Sequence, residues 1–330
     1  MTTEIQTTNP NGVLPAAAYL ATQKNRAAIV GDMNKIARRV MGIPDDPAKD
    51  DRPNVKELRR TDWQRMDWTT LNAANVGAIF AKIEGAPATR NRAMSVLKGV
   101  AKTAWRLELL SSETLARIAD IKGDTGSREM TGREIQQWEI SDLMRSLGTL
   151  AQSDKPGMSN AAIRDTAVIA IAVKTAARRE ELCSIRRADM IDEGDSIRIQ
   201  IIGKKNKQRT LFIDNGALSA LRAWLAIAPD SEYLFVGIKK GGKITDSRIT
   251  STSLHEMLER RVKETGLKDI SWHDFRRTFA GELLSKGEDI ATVAALMGHS
   301  SVTTTARYDR RPMEARRKAS KKISVPYFGK

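Results

Sequence analysis

Cysteine is almost missing. Among 330 residues the one cysteine is Cys183, which excludes an internal disulfide framework and any zinc site built on several thiolates. That usage fits a reducing, cytoplasmic compartment. Aromatic residues are scarce at 5%, so the cores are expected to be mostly aliphatic and helical. Long apolar runs are also missing. The stretch 167–173 is among the longest, far short of the roughly 20 residues a spanning helix needs. The first fifteen residues are polar, without the positive-then-apolar order of a secretory signal. Acids are in deficit, 40 against 55 Lys and Arg, for a formal net charge of +15. Such an imbalance favours a polyanion, and with no spanning segment a nucleic acid is the expected partner rather than a membrane.

What is present organises into two parts. The length exceeds the usual single domain. Residues 1–15 read as a flexible arm, and 16–122 as a helical domain. Within it 16–40 is helical, and 42–54 is a loop marked by Pro44, Pro47 and Pro53. Helical periodicity resumes over 55–84 and over 89–121, separated by Gly85-Ala86-Pro87. In the second stretch Arg92, Ser95, Lys98, Gly99, Lys102 and Arg106 recur every three or four residues, so they share a face. Met94, Leu97, Ala101 and Ala104 share another and read as core. In so basic a chain the first face is expected to meet DNA. Residues 123–132, with three glycines among charges, form the linker. Beyond it helices are expected at 136–150 and 161–187. Ile197, Ile199 and Ile201 then alternate with polar residues, and the chain returns through 203–207 into 209–213 as a hairpin. From Leu218 the pattern is helical again, broken by a loop at 239–243. The expected class is mainly α with a small antiparallel β-sheet.

Four clusters carry chemistry, all after the linker. In Thr175-Ala176-Ala177-Arg178-Arg179-Glu180-Glu181-Leu182 one helix ends and another begins, with Arg178 and Glu181 one turn apart. Alone this is no more than a surface ion pair. Gly203-Lys204-Lys205-Asn206-Lys207 sits at a hairpin turn, where lysines are usually only solubilising. His273 and Arg276 lie a turn apart in Ser271-Trp272-His273-Asp274-Phe275-Arg276-Arg277, with Ser271 and Asp274 spaced as a helix cap. That puts His273 in the first turn, where the helix dipole favours anions such as phosphate. The last cluster is Met297-Gly298-His299-Ser300-Ser301-Val302-Thr303-Thr304-Thr305-Ala306-Arg307-Tyr308, a Gly-punctuated pair of helices. Its plain reading is a helix-turn-helix over 289–308, as in a non-catalytic DNA-binding regulator.

In this order the clusters resemble the catalytic domain of tyrosine recombinases, the family of phage integrases, Xer-type resolvases and integron integrases. The family's Thr-Gly-Leu-Arg-x-x-Glu-Leu is matched from Thr175 to Leu182, with Ala176-Ala177 in place of Gly-Leu, a change compatible with a helix. Its Gly-Lys hairpin is Gly203-Lys204, its His-x-x-Arg is His273 to Arg276, and its Gly-His and Tyr are Gly298-His299 and Tyr308. The resemblance covers about 133–310. It implies a two-domain DNA clamp, a helical core-binding domain followed by a mixed α/β catalytic domain at 133–310. The implied activity is site-specific cutting and rejoining of DNA through a 3′-phosphotyrosine at Tyr308, in the service of a mobile element, without metal or ATP. Type IB topoisomerases share that chemistry and are the alternative enzyme.

The resemblance also implies roles. Arg178 and Arg276 clamp the nonbridging oxygens of a five-coordinate phosphorane, each worth about 3–4 kcal/mol of barrier. His273 transfers a proton or donates a hydrogen bond, and His299 donates to a nonbridging oxygen. Lys204 protonates the departing 5′ oxygen, with Lys205 and Lys207 as competitors that otherwise bind DNA beside Arg277. Glu181 orients His273 or an arginine. The tail 311–330 carries basic residues and then apolar Ile323, Val325, Tyr327 and Phe328. The family suggests that it docks on a neighbouring protomer of a homo-tetramer assembled on DNA, with accessory DNA-bending proteins as further possible partners.

Overall fold

The computed structural model describes residues 12–42, 62–125, 132–202, 208–239, 241–299, 301–308, 317 and 320–324. The chain divides into two compact units, 1–130 and 131–330. Among the described residues no helix is long and apolar enough to cross a membrane.

The first unit is helical: α1 (Leu14–Ala21), α2 (Arg26–Met41), α3 (Ala73–Lys82), α4 (Pro87–Arg106) and α5 (Ser112–Asp120). Local chemistry sets the ends. Asn25 caps α2, and Gly42 closes it in the left-handed conformation that glycine tolerates best. Asn72 and Asn75 cap the start of α3 reciprocally, and Pro87 opens α4 where no amide donor is needed. Several expectations change here: the helix expected over 16–40 is interrupted at 22–25, and residues 14 and 15 of the expected arm already belong to α1. From residue 62 the stretch 55–84 holds two short 3-10 turns, Asp62–Arg65 and Trp68–Thr70, before α3. The helix expected over 89–121 breaks after Arg106, where Glu108 adopts φ 58°. Apart from Gly42, the 42–54 loop lies outside the described residues, as does the arm up to residue 11.

The core of this unit contains Met94, Leu97 and Ala101 as expected, but it is not purely aliphatic. Trp68 is fully buried and Trp63 nearly so. Gly99 belongs to that packing, not to a surface face. A Cβ there would lie 2.4 Å from the Tyr19 ring, so α1 and α4 meet only because the residue is glycine.

The second unit is built around α7 (Pro156–Thr175), buried almost all round between 167 and 172 and packed against α6 (Gln137–Ala151), α9 (Asn215–Ile227) and α11 (Trp272–Ser285). A helix apolar on every side is stable only in the interior. After α7 come α8 (Arg179–Ser184) and a three-stranded antiparallel sheet, β1 (Met190–Asp192), β2 (Ile197–Ile202) and β3 (Gln208–Ile213). Ile197 pairs with Ile213 and Ile199 with Leu211, so the alternation read from the sequence is the buried face. Strands β4 (Val236–Ile238) and β5 (Ile244–Arg248) form a second hairpin where helix was expected, turning at the 239–243 loop. Further along the chain come α10 (Ser251–Thr265), α11, α12 (Ile290–Met297) and α13 (Val302–Ala306).

The helix expected over 161–187 stops at Thr175, because Ala176 turns into the left-handed conformation at φ 50°. The position at which Ala stands for the family's Gly therefore closes a helix rather than continuing one. Arg277, expected on a DNA-facing surface, is 3% exposed and donates to the Gly132 carbonyl. That assignment is corrected: its guanidinium reaches inward and fixes the start of the unit. At the other end of the linker Asn91 holds Asp124 within the first unit. Cys183 is buried, and burial first of all pushes its thiol up to about 11, which makes it a poor nucleophile.

Candidate active site

The site gathers where α12 ends. The last carbonyls of a helix have no partner within it and carry the negative end of its dipole. Here three successive carbonyls each hold one arginine. Leu296 accepts from Arg209 Nη1, Met297 from Arg276 Nη2 at 3.0 Å, and Gly298 from Arg178 Nη2 at 3.1 Å. Gly298 is left-handed at φ 64°, and a Cβ on it would fall 2.8 Å from Arg209 Cδ. Both its conformation and its neighbours require glycine.

Arg178 stands at the cap of α8. Glu181, one turn on, accepts from the Arg178 amide at 2.8 Å and from its Nη1 at 2.8 Å. The same carboxylate accepts from Arg209 Nη2 at 2.7 Å. Of the two roles open to Glu181, these contacts place it on arginines and not on His273. Burial opposes its ionisation, yet the charge of Arg209 and the hydrogen bonds from Arg178 hold it below the usual carboxylate range.

Arg276 is 3% exposed and spans two helix ends, donating through Nη1 to the Ala176 carbonyl and through Nη2 to Met297. Burial, followed by the charges of Arg178 and Arg209, lowers its pKa to about 10. His273 lies in the first turn of α11, where the Asp274 carboxylate accepts from the Ser271 amide at 2.8 Å and hydroxyl at 2.7 Å. Its pKa is lowered by burial and then by Arg276, with Asp274 opposing. A neutral imidazole that can accept a proton follows at neutral pH.

His299 lies between Arg276 and Thr305. Its Nε2 is 3.0 Å from Arg276 Nη2, and its Nδ1 is 2.8 Å from Thr305 Oγ1. A guanidinium only donates, so Nε2 accepts and Nδ1 carries the proton. Burial and three arginines lower its pKa to about 4. In this state both nitrogens are engaged within the site. An incoming oxygen has to take over the Arg276 contact first. The Tyr308 ring stacks on His299 at 6.1 Å between centroids and packs with Ala176, Ala280, Leu284, Val293 and Met297. Helix α13 is a single turn of five residues, too short for the recognition helix of the regulator reading.

The structure thus brings Arg178, Glu181, His273, Arg276, His299 and Tyr308 into one neighbourhood. Lys204, Lys205 and Lys207 lie outside the described residues, between β2 and β3 in the sequence. Most of the 311–330 tail also lies outside them. Arg209 was missed, although its place among the inward-facing positions of β3 was the available signal. In the first unit Lys102 and Arg106 are exposed on α4. Arg92 instead grips the buried Asp32 with two 2.7 Å bonds. Lys98 donates to the Ala119 and Ile121 carbonyls at the end of α5, at 2.8 and 2.6 Å. Lys98 is committed to the end of α5, which corrects its placement on an open DNA-facing surface, whereas Arg92 stays 56% exposed while paired with Asp32. Among the described residues no group of His, Cys, Asp and Glu could hold a metal ion.

Comparison with known proteins places the chain in a family. Residues 135–314 match the phage integrase family, and the chain belongs to that family, the tyrosine recombinases. Tyrosine recombinase XerC of Treponema denticola is 31% identical over 72% of this chain and 79% of its own length. XerC of Corynebacterium glutamicum is 34% identical over 48% of this chain, which spans about half of that relative (51%). The crystal structure of the XerH site-specific recombinase bound to palindromic difH substrate, a post-cleavage complex, shares the fold with a TM-score of 0.60 at 17% identity. It covers 88% of this chain and 95% of that one.

Proposed function

We propose that the protein is a site-specific DNA recombinase that cleaves and rejoins strands through a 3′-phosphotyrosine at Tyr308, serving a mobile element. The observation that carries this reading is the row of arginines at the end of α12 beside Tyr308 and His299. Arg178 and Arg276 are charged forks already oriented by carbonyls and Glu181, so little beyond the Arg276–His299 contact has to move when charge develops on the phosphate oxygens. A phenol, with pKa near about 10, ionises more easily than an aliphatic hydroxyl and leaves more readily when the strand is rejoined. His273, kept neutral, is suited to take the phenol proton. Lys204 is the candidate acid for the departing 5′ oxygen. Duplex DNA sites, a homo-tetramer joined through the C-terminal tail, and accessory bending proteins complete the proposal.

The test is a nicked duplex carrying the cognate site, incubated without metal or ATP. Wild type should give a denaturant-resistant protein–DNA adduct. Tyr308→Phe should bind equally and give none. An adduct that persists in Tyr308→Phe removes Tyr308 as nucleophile. No adduct from wild type on a site it binds removes the catalytic reading.

A further inference from the structure

Arg209 is the one arginine of the row that no motif accounts for. It lies on β3 opposite Ile201, on the face that otherwise carries Leu211 and Ile213 into the core. An arginine side chain 8% exposed at an aliphatic position is costly unless its charge is used. Its Nε is buried without a hydrogen-bond partner, a further cost. Its two terminal nitrogens divide between two segments of the site. Nη2 holds Glu181, which in turn holds the Arg178 amide and guanidinium. Nη1 holds the Leu296 carbonyl, and the side-chain stem lies against Gly298, one residue before His299.

We propose that Arg209 is a positioning residue for strand cleavage: it aims Arg178 through Glu181 and sets the turn that carries His299 and Tyr308 through the end of α12. This rests on the recombinase reading. Arg209 itself touches no DNA. It acts by fixing a charged donor and the nucleophile relative to one another, where a misplacement of about 1 Å can cost about 100-fold in rate. Only a planar fork spans both acceptors, which lysine does not reproduce.

Single-turnover cleavage by the full-length protein tests this on two nicked duplexes, one with the natural scissile phosphate and one with a methylphosphonate there. The methyl group removes one nonbridging charge, and with it part of the work of Arg178. Arg209→Ala should bind DNA as wild type does and cleave the phosphate about 100-fold more slowly. Its deficit should shrink by about tenfold or more on the methylphosphonate, in parallel with Arg178→Ala. Arg209→Lys, which keeps the charge beside Glu181, should fall between Arg209→Ala and wild type, and it carries the comparison if the alanine variant does not fold. A deficit equal on both substrates makes Arg209 a structural residue and overturns the proposal, as does wild-type cleavage by Arg209→Ala. Wild type failing to form any adduct is a different failure: it removes the recombinase reading first.

Discussion

At His299 the neighbours dictate where the proton sits. Arg276 can only donate, so Nε2 accepts and the proton is held on Nδ1 towards Thr305. Burial and the adjacent arginines lower the pKa from its ordinary 6.5 to about 4. The sign of the effect on stability follows. Between pH 6.5 and 4 the unfolded chain takes up a proton at this residue that the folded chain refuses. Stability is therefore lost as pH falls through that window, and nothing is contributed above it. His273 shifts in the same direction and adds to the trend. Replacing His299 by Gln should flatten, without abolishing, the fall in melting temperature between pH 6.5 and 4. An unchanged slope would mean that the arginines do not govern this histidine. A bound phosphate reverses the logic, since its negative charge favours the imidazolium and frees Nε2–H to donate.

At the scale of elements, Ala176 is where a helix end becomes part of the site. It sits left-handed at φ 50°, fully buried, and its carbonyl receives Arg276. That conformation costs an L-residue roughly 1–2 kcal/mol, and a β-branched side chain tolerates it worse. Ala176→Val should therefore cost more than about 2 kcal/mol in urea denaturation and release Arg276. Ala176→Gly relieves the strain but loses a buried methyl worth about 0.8 kcal/mol, so its stability should stay within about 1 kcal/mol of wild type. A severe loss with glycine would show that packing, not backbone conformation, governs this turn. The same position shows where sequence reading stops. The motif order picked out residues that the structure brings near the end of α12, and the isoleucine alternation of β2 gave the sheet face, because both signals are local. The end of α7, the break after Arg106 and the β4–β5 hairpin depend on tertiary packing that propensity does not see. Arg209 was hidden for a related reason. Its strand parity pointed inward while its charge argued outward, and only the Glu181 carboxylate and the α12 carbonyls resolve that conflict.

For the whole molecule, a net charge of +15 does not say which cations meet DNA, and α4 separates them. Lys102 and Arg106 are exposed, whereas Arg92 is paired with Asp32 and Lys98 closes the carbonyl end of α5. A cation already paired with a carboxylate or with helix-end carbonyls displaces fewer counterions when DNA binds. If α4 contributes to the interface, replacing Lys102 or Arg106 with Ala should reduce the magnitude of the log Kd versus log salt slope by about 1 each, and weaken binding to all sequences alike. Lys98→Met should instead destabilise the fold by about 1 kcal/mol through the lost helix-end bonds and leave that slope intact. Fluorescence anisotropy across about 50–200 mM salt, beside thermal melts, separates the two effects. A slope change with Lys98→Met equal to that of Lys102→Ala would return Lys98 to the DNA-facing surface. No slope change with either exposed residue would move the DNA contact off α4, leaving the charge that drives binding on other elements of the chain.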